Sequence, residues 1–129
     1  MKPKRQGDDN MKLLTKEIKE RLLDNGRKNA ERILDDGKTI DFEPVVKLFT
    51  PDAGATWLLT EINPDEQDIA FGLCDLGFGC PELGNVSLSE IAAIRGKLGL
   101  PVERDLHFTA KKTLSQYAAE ASFLGCIRA

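Results

Sequence analysis

The chain has 129 residues, 41% of them hydrophobic and 30% charged, with a formal net charge of −3. That length and mix suit one globular domain with its own core and exclude an intrinsically disordered chain. No apolar run is long enough to span a bilayer, the first ten residues lack the apolar stretch of a secretory signal, and Cys74, Cys80 and Cys126 form an odd set, so a cytoplasmic protein with free thiols and no membrane partner is expected.

Residues 1–10 (MKPKRQGDDN) carry charge, Pro and Gly without apolar periodicity and read as a flexible tail, leaving 11–129 as a single domain. Thr15 suits the N-cap of a helix, with Glu17 near the positive end of its dipole. Ile18, Leu22 and Leu23 form the apolar stripe, and Asn25-Gly26 reads as a stop. Residues 29–34 then form either a second short helix, ended by Gly37, or the continuation of one bent helix. This front is basic: residues 1–34 hold ten Lys/Arg against six Asp/Glu, while 35–129 hold eight against fifteen. A nucleic-acid surface built from Lys12, Lys16, Lys19, Arg21, Arg27, Lys28 and Arg32 is one reading. A solvated face, or one packed near the acidic body, is the plainer one, since the excess is small beside typical nucleic-acid modules.

The middle of the chain predicts strands. Val45–Phe49 is β-branched and aromatic between Pro44 and Pro51, and Pro51–Gly54 is turn chemistry. Thr56–Ile62 returns, with Thr56, Leu58, Thr60 and Ile62 on one face and Trp57, Leu59 and Glu61 on the other. Asn63–Glu66 turns the chain again, and a third strand spans about 67–74. There Ile69, Phe71 and Leu73 alternate with the small Ala70, Gly72 and Cys74, a face that invites close packing. Consecutive strands joined by short turns imply an antiparallel meander.

Leu76–Pro81 reads as an irregular loop. Ser87 and Glu90 fit a capping box, opening a short helix through Leu88, Ile91, Ala92 and Ile94 that stops at Gly96. Pro101–Phe108 alternates as a fourth strand, with Val102, Arg104, Leu106 and Phe108 inward and Glu103, Asp105 and His107 outward. Thr113 and Gln116 repeat the capping pattern ahead of an amphipathic helix carrying Leu114, Tyr117, Ala118, Ala121 and Leu124. The expected fold is therefore α+β: a small antiparallel meander of three to five strands covered by helices at the N-terminus, middle and C-terminus.

Little in this pattern assembles chemistry. Cys74, Cys80, His107 and Cys126 sum to a set zinc accepts, but the spacing has no Cys-x₂-Cys knuckle, so buried or solvated side chains are the simpler reading. One histidine, no nucleophile elbow and no Gly-Lys-Ser/Thr after the glycines argue against a Cys–His hydrolase or a phosphate loop. No cofactor is expected. Trp57, the only tryptophan, shares its expected face with Glu61. Arg104 stands among inward apolar positions, where a carboxylate such as Glu61 or Glu82 would pair with it, as a structural ion pair or as part of a partner-gripping groove.

The segments MKLLTKE, VVKLFTPDAGATWLLTE, IAFGLCDLGFGCPELGNVSLSEI and LPVERDLHFTAKKTLSQYAAEA resemble a bacterial family of short proteins, classed as a domain of unknown function, found on plasmids and integrative elements. The resemblance covers nearly all of the chain after residue 10. It departs at Cys80, where an aromatic is expected, and at Asn85, where a tyrosine is expected; the ten-residue leader is extra. It implies no particular chemistry, only a setting of mobile-element maintenance or antagonism of host defence. The functional expectation is a non-enzymatic accessory protein that contacts another macromolecule, a protein first, through Trp57, Glu61, Glu82 and Arg104. A nucleic-acid binder and a small metal or Cys/His enzyme are the alternatives.

Overall fold

A computed structural model describes residues 13–129. The expected tail over 1–10, and Lys12, lie outside the described residues. Helix α1 spans Lys16–Asp36. It opens at Thr15, whose Oγ1 accepts the Ile18 N–H at 3.1 Å, and closes on Gly37 at φ 75°, a left-handed cap that suits glycine. The helix runs unbroken through Asn25-Gly26, so the bent-or-broken expectation gives way to one continuous element. The reason is tertiary. A Cβ built at Gly26 would lie 1.9 Å from the Ile62 carbonyl oxygen, so glycine is what lets the helix backbone press against the sheet. Beside it, Asn25 Nδ2 donates to the Thr60 carbonyl at 3.0 Å.

Strands β1 (Val46–Phe49), β2 (Thr56–Ile62), β3 (Ile69–Asp75) and β4 (Glu82–Ser87) follow as an antiparallel meander, then helix α2 (Leu88–Ala93), the short β5 (Glu103–Arg104) and helix α3 (Leu114–Leu124). The sheet order is β4-β3-β2-β1-β5. The fold is α+β, as the pattern of alternation and capping predicts.

The sheet separates two apolar clusters. Leu22 and Leu23 of α1 pack with Leu48, Trp57, Leu59, Ile62 and Ala70, joined by Leu88 and Ile91 of α2. On the second face Leu58 and Leu73 meet Leu114, Tyr117 and Ala121 of α3. Each fully buried Leu, Ile or Val side chain contributes about 1.5–3 kcal/mol, so these layers hold the sheet between the helices.

One strand was not anticipated, and one strand expectation needs correction. Residues 82–87 form β4, although Gly84 and Asn85 are poor strand formers; β3 offers a free ladder that pairs Ile69 with Ser87 through to Cys74 with Glu82. The expected strand over 101–108 shrinks to Glu103–Arg104, paired with Phe49 and Leu48. Asp105 ends it: its Oδ1 accepts the His107 N–H at 2.9 Å and curls the chain into a turn. Val102 is buried as expected, but Leu106 is 75% exposed and points to no core.

The caps of the later helices follow the sequence. Ser87 Oγ accepts the Glu90 N–H at 3.2 Å, and Gln116 Oε1 accepts the Thr113 N–H at 2.9 Å. Asp68 reinforces the first junction, accepting the Ser87 hydroxyl at 2.6 Å and the Ser89 hydroxyl at 2.8 Å. The second helix ends at Ala93, short of Gly96.

A carboxylate re-aimed by a β-bulge

In β2 the pairing with β3 slips between Leu59 and Glu61: Leu59 faces Gly72, and Glu61 faces Phe71. Thr60 is the extra residue, its Oγ1 donating to the Phe71 carbonyl at 3.4 Å. A bulge reverses the parity of everything beyond it. Ile62 therefore joins Trp57 and Leu59 in the α1 cluster, and Glu61 leaves that face. The expected grouping of Trp57 with Glu61 is corrected by this single residue.

Register then sets Glu61, Phe71 and Asn85 in one row across β2, β3 and β4. From α1, Asn29 donates its Nδ2 to Glu61 Oε2. Asn29 is only 5% exposed, and its Oδ1 accepts the Ile40 N–H at 2.6 Å, which fixes the amide's orientation. Burial pushes the Glu61 carboxyl above its ordinary range, partly offset by the Asn29 hydrogen bond.

Glu61, Asn29 and Phe71 line two cavities. One, of about 280 Å³, is bounded by Ile33, Pro64, Asp65 and Asn85. The other, of about 510 Å³, is bounded by Ile40, Phe42, Leu83 and Leu114. No Lys or Arg lines either among the described residues. Asp41, at the edge of the larger one, accepts the Ser115 N–H at 3.0 Å. Burial works against its charge, but the Ser115 and Thr113 hydroxyls outweigh burial and hold that carboxyl low. The cleft thus offers apolar walls and carboxylates to a visiting cation or donor.

The other expected site residues do not gather here. Trp57 is 2% exposed and belongs to the core rather than to a groove. Arg104, Leu48, Trp57, Cys74 and Glu82 share one cross-sheet row, which puts Arg104 and Glu82 on opposite edges. Four strand spacings separate them, about 19 Å, beyond any ion pair. Arg104 Nη1 donates to the Leu13 carbonyl at 2.8 Å, and Glu61 takes Asn29 instead.

Lys16, Lys19, Arg21, Arg27, Lys28 and Arg32 all lie on α1, but that helix also carries Glu17, Glu20, Asp24, Glu31, Asp35 and Asp36. The two signs balance, and Lys28 pairs with Asp24 and Arg32 with Asp36, each at 3.0 Å.

Cys74 is half-buried on β3, where burial raises its thiol, partly offset by the neighbouring Trp57 side chain. Cys80 is exposed ahead of β4, Cys126 is half-buried beyond α3, and His107 sits exposed in the turn after β5. Among the described residues no three His, Cys, Asp or Glu side chains gather as a metal site. None of the described helices is long and apolar enough to cross a membrane.

Sequence reasoning missed Asn29, Phe71 and Asn85. The signal available was Thr60-Glu61, two adjacent polar residues breaking the alternation of an otherwise apolar strand. Comparison with known proteins finds no match among curated proteins or solved structures. A family model described as "Protein of unknown function (DUF2958)" matches residues 13–128.

Proposed function

The chain belongs to the DUF2958 family, and from the cleft on its sheet we propose that it is a non-enzymatic accessory protein that grips a protein partner by a cationic side chain. The observation that carries this reading is Glu61: a half-buried carboxylate on two cavities, met by an amide donor and, among the described residues, by no Lys or Arg lining. Desolvation without a countercharge is costly, and an arriving guanidinium would supply that charge with two directed hydrogen bonds. The apolar walls would receive the aliphatic stem. Glu61 is engaged by the Asn29 amide and Asp41, on the larger cavity, by the Ser115 N–H and hydroxyl, so both carboxylates serve as fixed acceptors, which suits binding. The setting on a mobile genetic element and action in the cytoplasm belong to the same proposal, supported by the resemblance of the chain's signature segments.

The experiment is an NMR titration of the labelled chain with an Arg-containing peptide and its citrulline twin. The amide signals of Asn29, Phe71 and Asn85 are expected to move with the first and not with the second. Glu61→Gln should abolish the response. Equal shifts with both peptides, or an undiminished response in the variant, would remove this reading.

A further inference from the structure

The two edges of the sheet are unlike. β5 is two residues long, follows Pro101 closely and runs straight into the Asp105 turn. Such devices blunt an edge against further pairing. β4 spans six residues, ELGNVS, and pairs with β3 without a bulge; it holds neither Lys nor Pro.

The phase of the ladder shows which groups face outward. The Leu88 N–H donates to the Asp68 carbonyl at 2.8 Å, in the same register that pairs Ile69 with Ser87. Hydrogen-bonded pairs alternate along an antiparallel ladder. Ala70–Val86, Gly72–Gly84 and Cys74–Glu82 are therefore the bonded pairs. The N–H and C=O groups of Leu83 and Asn85 point away from β3, at an edge that no other strand among the described residues covers. Both residues are exposed.

We infer that β4 pairs antiparallel with β4 of a second copy of this chain, about a two-fold axis at Gly84. That register sets Leu83 opposite Asn85 of the second copy, and Asn85 opposite Leu83. All four outward residues become hydrogen-bonded pairs, and the two sheets become one. Glu82 falls opposite Val86, so no like charges oppose each other. Gly84 meets Gly84 in a non-bonded pair, where Cα atoms approach to about 4.5 Å. The two Leu83 side chains, each 47% exposed in the single chain, become diagonal neighbours within reach on one face. Phe78, 84% exposed, and Leu76 line the cavity along the same edge and add apolar surface to it. Leu83 and Asn85 also line the Glu61 cavities, but the pairing uses their outward backbone groups and does not rest on the Glu61 carboxylate.

Gly84 supplies the test. A Cβ there meets nothing within 4 Å in the single chain, so Gly84→Glu and Gly84→Lys leave the monomer intact, while in the pairing each new charge faces its own copy. Light scattering on the full chain is expected to give twice 14.2 kDa for the wild type. Each variant alone should run as a monomer with an unchanged melting curve, and an equimolar mixture should regain the doubled mass. A wild type that stays monomeric up to millimolar concentration overturns the inference, whether or not β4 accepts a strand from another protein. Variants that keep the doubled mass, or a mixture that stays monomeric, overturn it equally. An Arg-peptide response that survives in the monomeric variants would show the cleft and the edge to be separate sites.

Discussion

At Gly26 two energetic demands oppose each other. In an exposed helix interior, Gly→Ala gains about 1 kcal/mol. Here the added methyl would collide with the Ile62 carbonyl, a backbone atom that cannot swing aside. Gly26→Ala is therefore expected to lower stability by about 1–3 kcal/mol, the range of overpacked sites; urea unfolding measures it, and a stabilised variant would mean that α1 does not rest on β2. Glu61 poses the complementary test. Its folded pKa is raised, so the folded chain holds that proton more tightly than the unfolded chain. Stability from this group is present below the ordinary glutamate value of about 4.3 and is lost as pH climbs through the raised value. Glu61→Gln keeps an acceptor for Asn29 and removes the charge. Its melting temperature should exceed the wild type's at neutral pH, and the two should converge in acid. Legibility at this scale was partial: Glu61 stood out in the sequence, but with Arg104 as its expected partner and Trp57 as its neighbour.

Among the elements, those with a local signal were readable. Thr15, Ser87 and Thr113 each begin a helix where capping chemistry places them, because a cap involves only the next three or four residues. β1, β2 and β3 alternate and are bounded by turns. β4 has no such signal, and β5 has a false one: its alternation continues past the point where Asp105 turns the backbone. The β4–α2 junction shows what holds a weakly encoded strand in place. The Ser87 hydroxyl above all, with Ser89 adding to it against the cost of burial, holds the Asp68 carboxyl below its ordinary range. A depressed carboxylate contributes stability above its unfolded pKa and loses it as pH falls through the folded one. Asp68→Ala should cost about 1.5–3 kcal/mol at neutral pH, as for hydrogen bonds to a charged acceptor, and the difference from wild type should shrink in acid. Equal stability at neutral pH would show the clamp to be idle.

For the whole molecule, Trp57 is a built-in reporter. It sits in the cluster that joins α1, the sheet and α2, so its fluorescence reads the central packing. Emission should be blue-shifted and poorly quenched by iodide, and its loss in urea should coincide with loss of far-UV circular dichroism, as in a two-state domain. An accessible Trp57, or two separate transitions, would contradict a core that couples all layers.

By itself the sequence determined the α+β class, the meander and the three helix starts, because periodicity, turn residues and caps act over a few neighbouring positions. Only the tertiary structure decided that α1 continues through Gly26, that 82–87 becomes a strand, that the last strand stops at Arg104, and that Glu61 leaves the face of Trp57. Three of those depend on the backbone of a distant segment: the Ile62 carbonyl, the free ladder of β3, and one extra residue opposite Phe71; the end at Arg104 is the Asp105 turn, a local feature that the longer alternation masks.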